Sequence, residues 1–166
     1  KEAKVTGNYQ SLHTHPIKLA MVMFLAEMLR NTIREEENNE PLFRYLEYSF
    51  HVLDTSDKIA NFHLLFLLNL TRYLGFQPEP GIKDLPVFNM LDGVFQDCPT
   101  NDYCIEGKNV DLLKSLLGTD FDALEQIKMN QTSRNDFLNM LLLYFELHIE
   151  GFRKPKSLSV LHEIFG

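Results

Sequence analysis

Apolar positions along this chain recur mainly at helical spacing, and four long stretches carry the pattern. The first is expected from about Pro16 to Ile33, opening on a proline whose missing N–H costs nothing in a first helical turn. Within it, Leu19 to Ala26 is apolar around the whole circumference, which predicts a central helix contacted on most sides. The acidic run Glu35–Glu37 and then Asn38–Asn39 end it. A second helix, about Pro41 to Asp54, places Leu42, Leu46, Ser49, Phe50 and Leu53 at helical spacing, with Asn39 as its expected cap. Thr55 or Ser56 is expected to cap a third, about Asp57 to Leu74, which contains the run Leu64–Leu68. Gly75 closes it, because glycine adopts the left-handed cap conformation at least cost, and Pro78 and Pro80 prevent continuation. The fourth, about Arg134 to Glu150, begins at Ser133 with Asp136 three residues on, and ends at Gly151 with Pro155 beyond.

Shorter pieces lie among these. Asn109–Leu117 and Phe121–Ile127 read as brief helices divided by Gly118 and capped by Thr119, and Leu158–Phe165 places Leu158, Leu161 and Phe165 on one face. The stretch 77–108 differs: it holds Pro78, Pro80, Gly81, Pro86, Gly93 and Pro99, with only short β-like pieces such as Pro86–Leu91 and Val94–Phe95. The expected fold is therefore all-α, a helical bundle with a small irregular or β insertion between the third and fourth long helices.

Composition narrows the function more than the fold. The chain has 166 residues, enough for one ordinary domain, and its 45% hydrophobic and 23% charged content suits a globular protein. The longest apolar run, Leu19–Ala26, falls far short of the roughly 20 residues that span a bilayer. A net charge of −7 argues against strong DNA binding by this domain alone, since duplex binders rely on excess Lys and Arg. Local basic clusters could still hold an acidic peptide. The first residue is Lys and no secretion signal precedes the first apolar segment, so the chain reads as the continuation of a longer protein or as a processed terminus. Two cysteines cannot form a multi-bridge framework, and a reducing cytoplasm fits them.

Candidate chemistry is sparse. Cys98 and Cys104 form one loose pair where structural zinc wants four ligands in two close pairs, so free thiols or one local disulfide are expected, and no cofactor. His13 and His15 form an H-x-H in what should be extended chain; His51, His63, His148 and His162 sit on predicted helices, each expected to hydrogen-bond at a core edge. Glu27 interrupts an apolar helix and must reach water or find a basic partner. No Gly-rich phosphate loop, G-x-S-x-G or H-E-x-x-H occurs, so no catalytic residues are assigned and the protein is not expected to be an enzyme. Arg153, Lys154 and Lys156, around Pro155, either serve the helix dipole and solubility or contact phosphate or an acidic tail.

The order of these features resembles the carboxy-terminal helical domain of the RecO recombination mediators. Phe24-Leu25-Ala26-Glu27-Met28-Leu29 resembles the family's opening aromatic-x-x-Glu-Leu-Leu helix, and Leu42-Phe43 with Leu46 its second. Phe66, Leu68, Leu70 and Leu74-Gly75-Phe76 with Pro78 resemble its Phe-x-Leu…Leu-Gly-Tyr-x-Pro signature, and Lys154-Pro155-Lys156-Ser157-Leu158 its closing Pro-Leu-Lys-Ser element. These motifs span almost the whole chain.

The resemblance implies a DNA repair and recombination mediator of bacterial, cytoplasmic origin. Such proteins carry an amino-terminal OB-fold and a helical domain with a zinc-ribbon-like insertion. They bind single- and double-stranded DNA, engage RecR and the acidic tail of single-strand-binding protein, and help load RecA and anneal strands. Residues 1–15 become the exit from an OB-fold domain, 16–166 the helical domain and 77–108 its insertion; DNA contact is then expected mainly through the OB-fold. Two departures stand out. The four-cysteine ribbon is reduced to Cys98 with Cys104, so the insertion is expected to fold without metal. Arginines that some relatives place just before the residue matched to Phe66 are replaced by Leu64 and Leu65, leaving Lys58 and Arg72, expected on the same helix, as candidate cations beside Phe66. The implied mechanism is capture of an acidic peptide, its terminal aromatic residue in an apolar cleft and its carboxylates paired by Lys or Arg, with Arg153, Lys154 and Lys156 as further contacts. The alternatives are an all-α domain binding a small apolar ligand between the first and third helices, and a dimerising domain if Met21, Met23 and Phe24 are exposed.

Overall fold

Six α-helices and one small sheet make up the described residues of the computed structural model, which are 8–34, 38–80 and 84–165. The helices are α1 (Pro16–Thr32), α2 (Glu40–Thr55), α3 (Phe62–Leu74), α4 (Lys108–Leu116), α5 (Gln131–His148) and α6 (Leu158–Phe165), with a short 3-10 helix at Phe121–Gln126. Strands β1 (Val87–Asn89), β2 (Val94–Gln96) and β3 (Cys104–Glu106) form the insertion between α3 and α4. The bundle with a β insertion is the architecture expected from the pattern, although β3 lies outside the β-like pieces that the sequence suggested.

The centre of the bundle is α3, not α1. Every residue from Phe62 to Leu68 is buried, because α1, α2, α5 and the 3-10 helix all pack on α3. Helix α1 buries only the face carrying Met21, Phe24, Leu25 and Met28, mainly against α6 and α3; Leu19 stays 42% and Met23 59% exposed. An apolar circumference therefore did not mean contact all round. With Met21, Phe24, Leu25, Leu64 and Leu65 all at zero exposure, the space between α1 and α3 is filled by side chains.

Caps decide the boundaries. Asn39 accepts the Leu42 N–H at 3.0 Å, as expected of the α2 cap. Helix α2 then runs through Thr55, whose hydroxyl donates back to His51 O, and Ser56 accepts the Lys58 N–H in a tight turn. That turn delays α3 to Phe62, so Thr55 and Ser56 do not cap it and Lys58 precedes the helix. Gly75 ends α3 at φ 88°, the left-handed cap predicted from its position. Helix α5 starts earlier than expected, because Asn130 rather than Ser133 is its cap and accepts the Ser133 N–H at 2.8 Å. Thr119 caps nothing; its hydroxyl bonds back to Ser115 O. The run Glu35–Glu37 lies outside the described residues, as do residues 1–7 and Gly81.

The sheet has the order β2-β1-β3, both pairs antiparallel, with Phe88 opposite Phe95 and Ile105. It is seated on α5: Tyr144 Oη donates to Phe76 O at 2.6 Å, the Phe88 ring lies 5.8 Å from the Tyr144 ring, and His148 Nε2 meets Met90 O at 2.8 Å.

Candidate peptide-binding cleft

Helices α2 and α3 lie side by side, and helical spacing sets which side chains line the seam. Arg44, Tyr45 and Tyr48 on α2 face Asn69, Arg72 and Tyr73 on α3, each set one turn apart. The segment Gly118–Phe121 forms the third wall, and the cleft encloses about 510 Å³. Its floor is aromatic. Tyr45 and Tyr73 stack with centroids 4.8 Å apart, Tyr48 lies 6.1 Å from Phe121, and Phe121 stacks on Phe62 at 4.7 Å. Tyr45 is fixed by donating its hydroxyl to Phe66 O at 2.9 Å, and burial pushes its ionisation far up, so it stays neutral.

Two guanidinium groups border this floor. Arg44 is exposed and holds Glu40 one turn earlier at 2.9 Å, a contact that solvent keeps weak. The Arg72 side chain is exposed and makes no hydrogen bond or ion pair with the described residues. One carboxylate, Asp120, is part of the lining. The arrangement offers planar bidentate donors beside π faces, which suits a carboxylate carried next to an aromatic ring.

Of the residues singled out from sequence, only Arg72 lies in this cleft. Phe66 is fully buried, its ring against Tyr45, Phe50 and Phe62, so it builds the floor from beneath and offers no surface to a partner. Lys58 sits in the turn before α3 and is paired with Glu125 at 2.6 Å, in a different groove lined by Ile59, Leu124 and Met129. Arg153, Lys154 and Lys156 are exposed on the turn between α5 and α6, against the end of α1. Arg44, Tyr48, Tyr73 and Phe121 were not singled out from sequence. The i, i+4 spacing of Arg44 and Tyr48 was readable, but nothing in the sequence said that this face of α2 meets Arg72.

Other expectations resolve in the same structure. Glu27 makes no salt bridge among the described residues, although the nearby Arg30 charge favours its ionised form; its carboxylate accepts the N–H groups of Lys156 and Ser157 at 2.9 and 3.0 Å and the Ser157 hydroxyl at 2.7 Å, capping α6. Those backbone donors, Ser157 foremost, hold its pKa below the ordinary value. His13 and His15 belong to a turn rather than extended chain, closed by His15 N–H to Ser11 O at 2.9 Å. Of the helix histidines, His148 has its expected partner, whereas His63 Nδ1 and His162 Nε2 are buried without one among the described residues. A second groove of about 400 Å³, mostly apolar, lies between the ends of α1, α3 and α5, with Leu42, Phe43 and Leu46 on one wall and Arg34 at its rim.

Cys98 and Cys104 are free thiols, and among the described residues no three His, Cys, Asp or Glu side chains are grouped to hold a metal. Cys104 Sγ instead faces donors, the Thr100 N–H at 3.4 Å and Gln96 Nε2 at 3.5 Å. At the centre of the same loops, buried Asn89 accepts from the Leu91 N–H and from Asn101 Nδ2, and donates to Asp92 Oδ2 at 2.7 Å.

Helices packed round a buried α3, a β insertion ahead of α4 and open clefts define an all-α domain of the two-part, insertion-bearing kind. The family described as "Recombination protein O C terminal" matches residues 13–79 and 95–158. The chain is 89% identical, over its whole length and 70% of the relative's, to a protein of Christiangramia forsetii named DNA repair protein RecO. Proteins of the same name from Flavobacterium johnsoniae and Phocaeicola vulgatus are 44% and 34% identical, each over the whole chain and 69% and 70% of their own lengths. No solved structure matches. The chain belongs to the RecO family of DNA repair and recombination proteins.

Proposed function

We propose that this chain is the partner-binding module of a recombination mediator, acting by capture of the acidic, aromatic-ended tail of single-strand-binding protein rather than by catalysis. The observation that carries this reading is the pairing of Arg44 and Arg72 across an aromatic floor. The guanidinium groups take the tail's carboxylates while its terminal ring stacks on Tyr48 or Phe121. Family membership supports the wider role in DNA repair and recombination. Within that role, our reading is that holding the tail localises the protein on coated single strands, for RecR to join it, RecA to be loaded and strands to be annealed. The insertion does its structural work without metal, and the setting is the bacterial cytoplasm.

A short acidic peptide ending in Phe and carrying a fluorophore tests the cleft. Its anisotropy is expected to rise with the chain at low salt and to fall as salt screens the pairs. Arg72→Glu or Arg44→Glu should weaken binding at least about tenfold, the loss of one charge-assisted contact. Lys58→Glu, outside the cleft, should leave it unchanged. No binding by the unaltered chain at low salt sinks the proposal.

A further inference from the structure

A second group of exposed cations lies elsewhere on the described surface. Glu27, Arg30, Asn31 and Arg34 share one face of α1 and its exit, at helical spacing. That face meets the α5–α6 turn: Asn31 Nδ2 donates to Arg153 O at 2.8 Å, Glu27 binds the Lys156 and Ser157 N–H groups, and the Arg34 guanidinium lies 3.3 Å from where a Cβ on Gly151 would stand. Arg30 and Arg34 are thereby brought beside Arg153, Lys154 and Lys156, all five exposed, and none makes an ion pair with the described residues. Two carboxylates belong to the same stretch. Glu27 is engaged by three donors, and Glu150 is exposed. The acidic run after Arg34 lies outside the described residues and is not counted in the strip.

We propose that this strip binds the phosphate backbone of nucleic acid, so that the helical domain contributes its own DNA contact. The proposal goes beyond the peptide cleft and does not depend on it. Two arguments separate the surfaces. The cleft sets two guanidiniums round an aromatic floor, which suits a short anchored chain end. The strip is a row of five outward side chains on a helix face and an irregular turn, which suits a repeated charge. The N–H groups at the start of α6 are already taken by Glu27, so phosphate contact falls to the side chains alone. A chain of net charge −7 makes that contact weak and strongly salt-dependent, because the local field rather than the total steers the polyanion.

The test is fluorescence anisotropy of the 166-residue chain with a labelled 20-nucleotide oligo-dT, from low to moderate salt. If all five cations contact phosphate, log K should fall against log salt with a slope near about −3.5; with two left it should drop to about −1.4. The variant R153Q/K154Q/K156Q should weaken binding at least tenfold at low salt, and R30Q/R34Q several-fold. Both should keep the melting temperature, since the α6 cap uses backbone groups. R44Q/R72Q should leave oligonucleotide binding intact while losing the peptide. Two results overturn the proposal: no oligonucleotide binding at low salt, or binding that the Gln variants leave unaltered. So does loss of the acidic peptide, rather than the oligonucleotide, in R153Q/K154Q/K156Q.

Discussion

Replacing Glu27 by Ala removes one carboxylate and, with it, the start of α6. The helix has eight residues, too few to persist in water unaided, so it depends on docking Leu161 and on having its first N–H groups satisfied. From α1, about 130 residues away in sequence, Glu27 accepts two of those N–H groups and the Ser157 hydroxyl besides. Hydrogen bonds to a charged acceptor contribute about 1.5–3 kcal/mol when shielded, and a lost helix cap costs about 1 kcal/mol. Because the carboxylate is partly exposed, solvent screens it, and we expect about 2 kcal/mol in total for Glu27→Ala. For a chain of this size that lowers Tm by roughly 6 °C. Glu27→Gln should fall between, since its amide keeps an acceptor but turns a donor toward N–H groups. The pKa of Glu27 is lowered on folding, so its contribution is complete above the ordinary value of 4.5 and is lost as pH falls through the folded value. Urea unfolding at pH 7 and pH 3.5 measures both, and amide exchange at Leu161 reports on α6 itself. An Ala variant within about 0.3 kcal/mol of the parent, with Leu161 protection unchanged, would refute the reasoning.

Three further outcomes follow from the same structure. Gly93→Ala should destabilise by about 2 kcal/mol in thermal melts, because φ is +69° and the new Cβ would lie 2.7 Å from Tyr144 Oη. Asn89→Ala should cost about 3 kcal/mol and open residues 87–106 to protease, by leaving the Leu91 N–H and its neighbours without an acceptor. Burial first, then the nearby Arg134 and His162 charges, lowers the His63 pKa from 6.5 to about 3. Its neutral form therefore contributes fully above pH 6.5, and stability should fall by about 1.4 kcal/mol per pH unit below that; His63→Leu should flatten the urea profile between pH 6.5 and 5.

Much of this fold was legible because local chemistry and tertiary packing agree. Asn39 with Pro41, Gly75 after Leu74, and the face Leu158–Leu161–Phe165 each mark an element by a mechanism confined to a few residues. Errors came where two local signals competed or where a distant partner decided. Thr55 and Ser56 have cap chemistry, yet their hydroxyls serve the end of α2 and the following turn, and α3 begins only at Phe62. The all-round apolar α1 looked central, but the run Phe62–Leu68, apolar except for His63, holds that place because three long helices and the 3-10 helix converge on it. Strand β3 has little strand character of its own and is specified by pairing with β1. The candidate cleft was half legible: Arg72 was chosen for its charge, whereas Arg44 needed the register of α2 on α3. Phe66 was misread because a family signature marks what must be retained, and here it marks the core.

The acidic total misdirects in an instructive way. A charge of −7 says that this chain repels polyanions on average, but the structure gives several carboxylates internal work. Asp54 accepts the Gln10, Ser11 and Leu12 N–H groups and fastens the first turn to the end of α2; Glu27 caps α6; Glu125 holds Lys58; Glu40 holds Arg44. A carboxylate whose lone pairs are aimed at N–H donors presents less of its field outward than a free one. The cations divide differently. Lys18 is buried against Ser11 and Asp54 O, and Arg134 is tied to Asn61, Met129 and Phe165, while Arg72 and the row on α1 and the α5–α6 turn remain unpaired among the described residues. Asp54 and Glu27 are engaged by backbone donors and so consume no cation, which leaves exposed basic side chains on an acidic domain. It follows that Glu27→Ala, besides loosening α6, should blur the strip that Glu27 organises. Oligonucleotide binding should then weaken even though the substitution removes a negative charge.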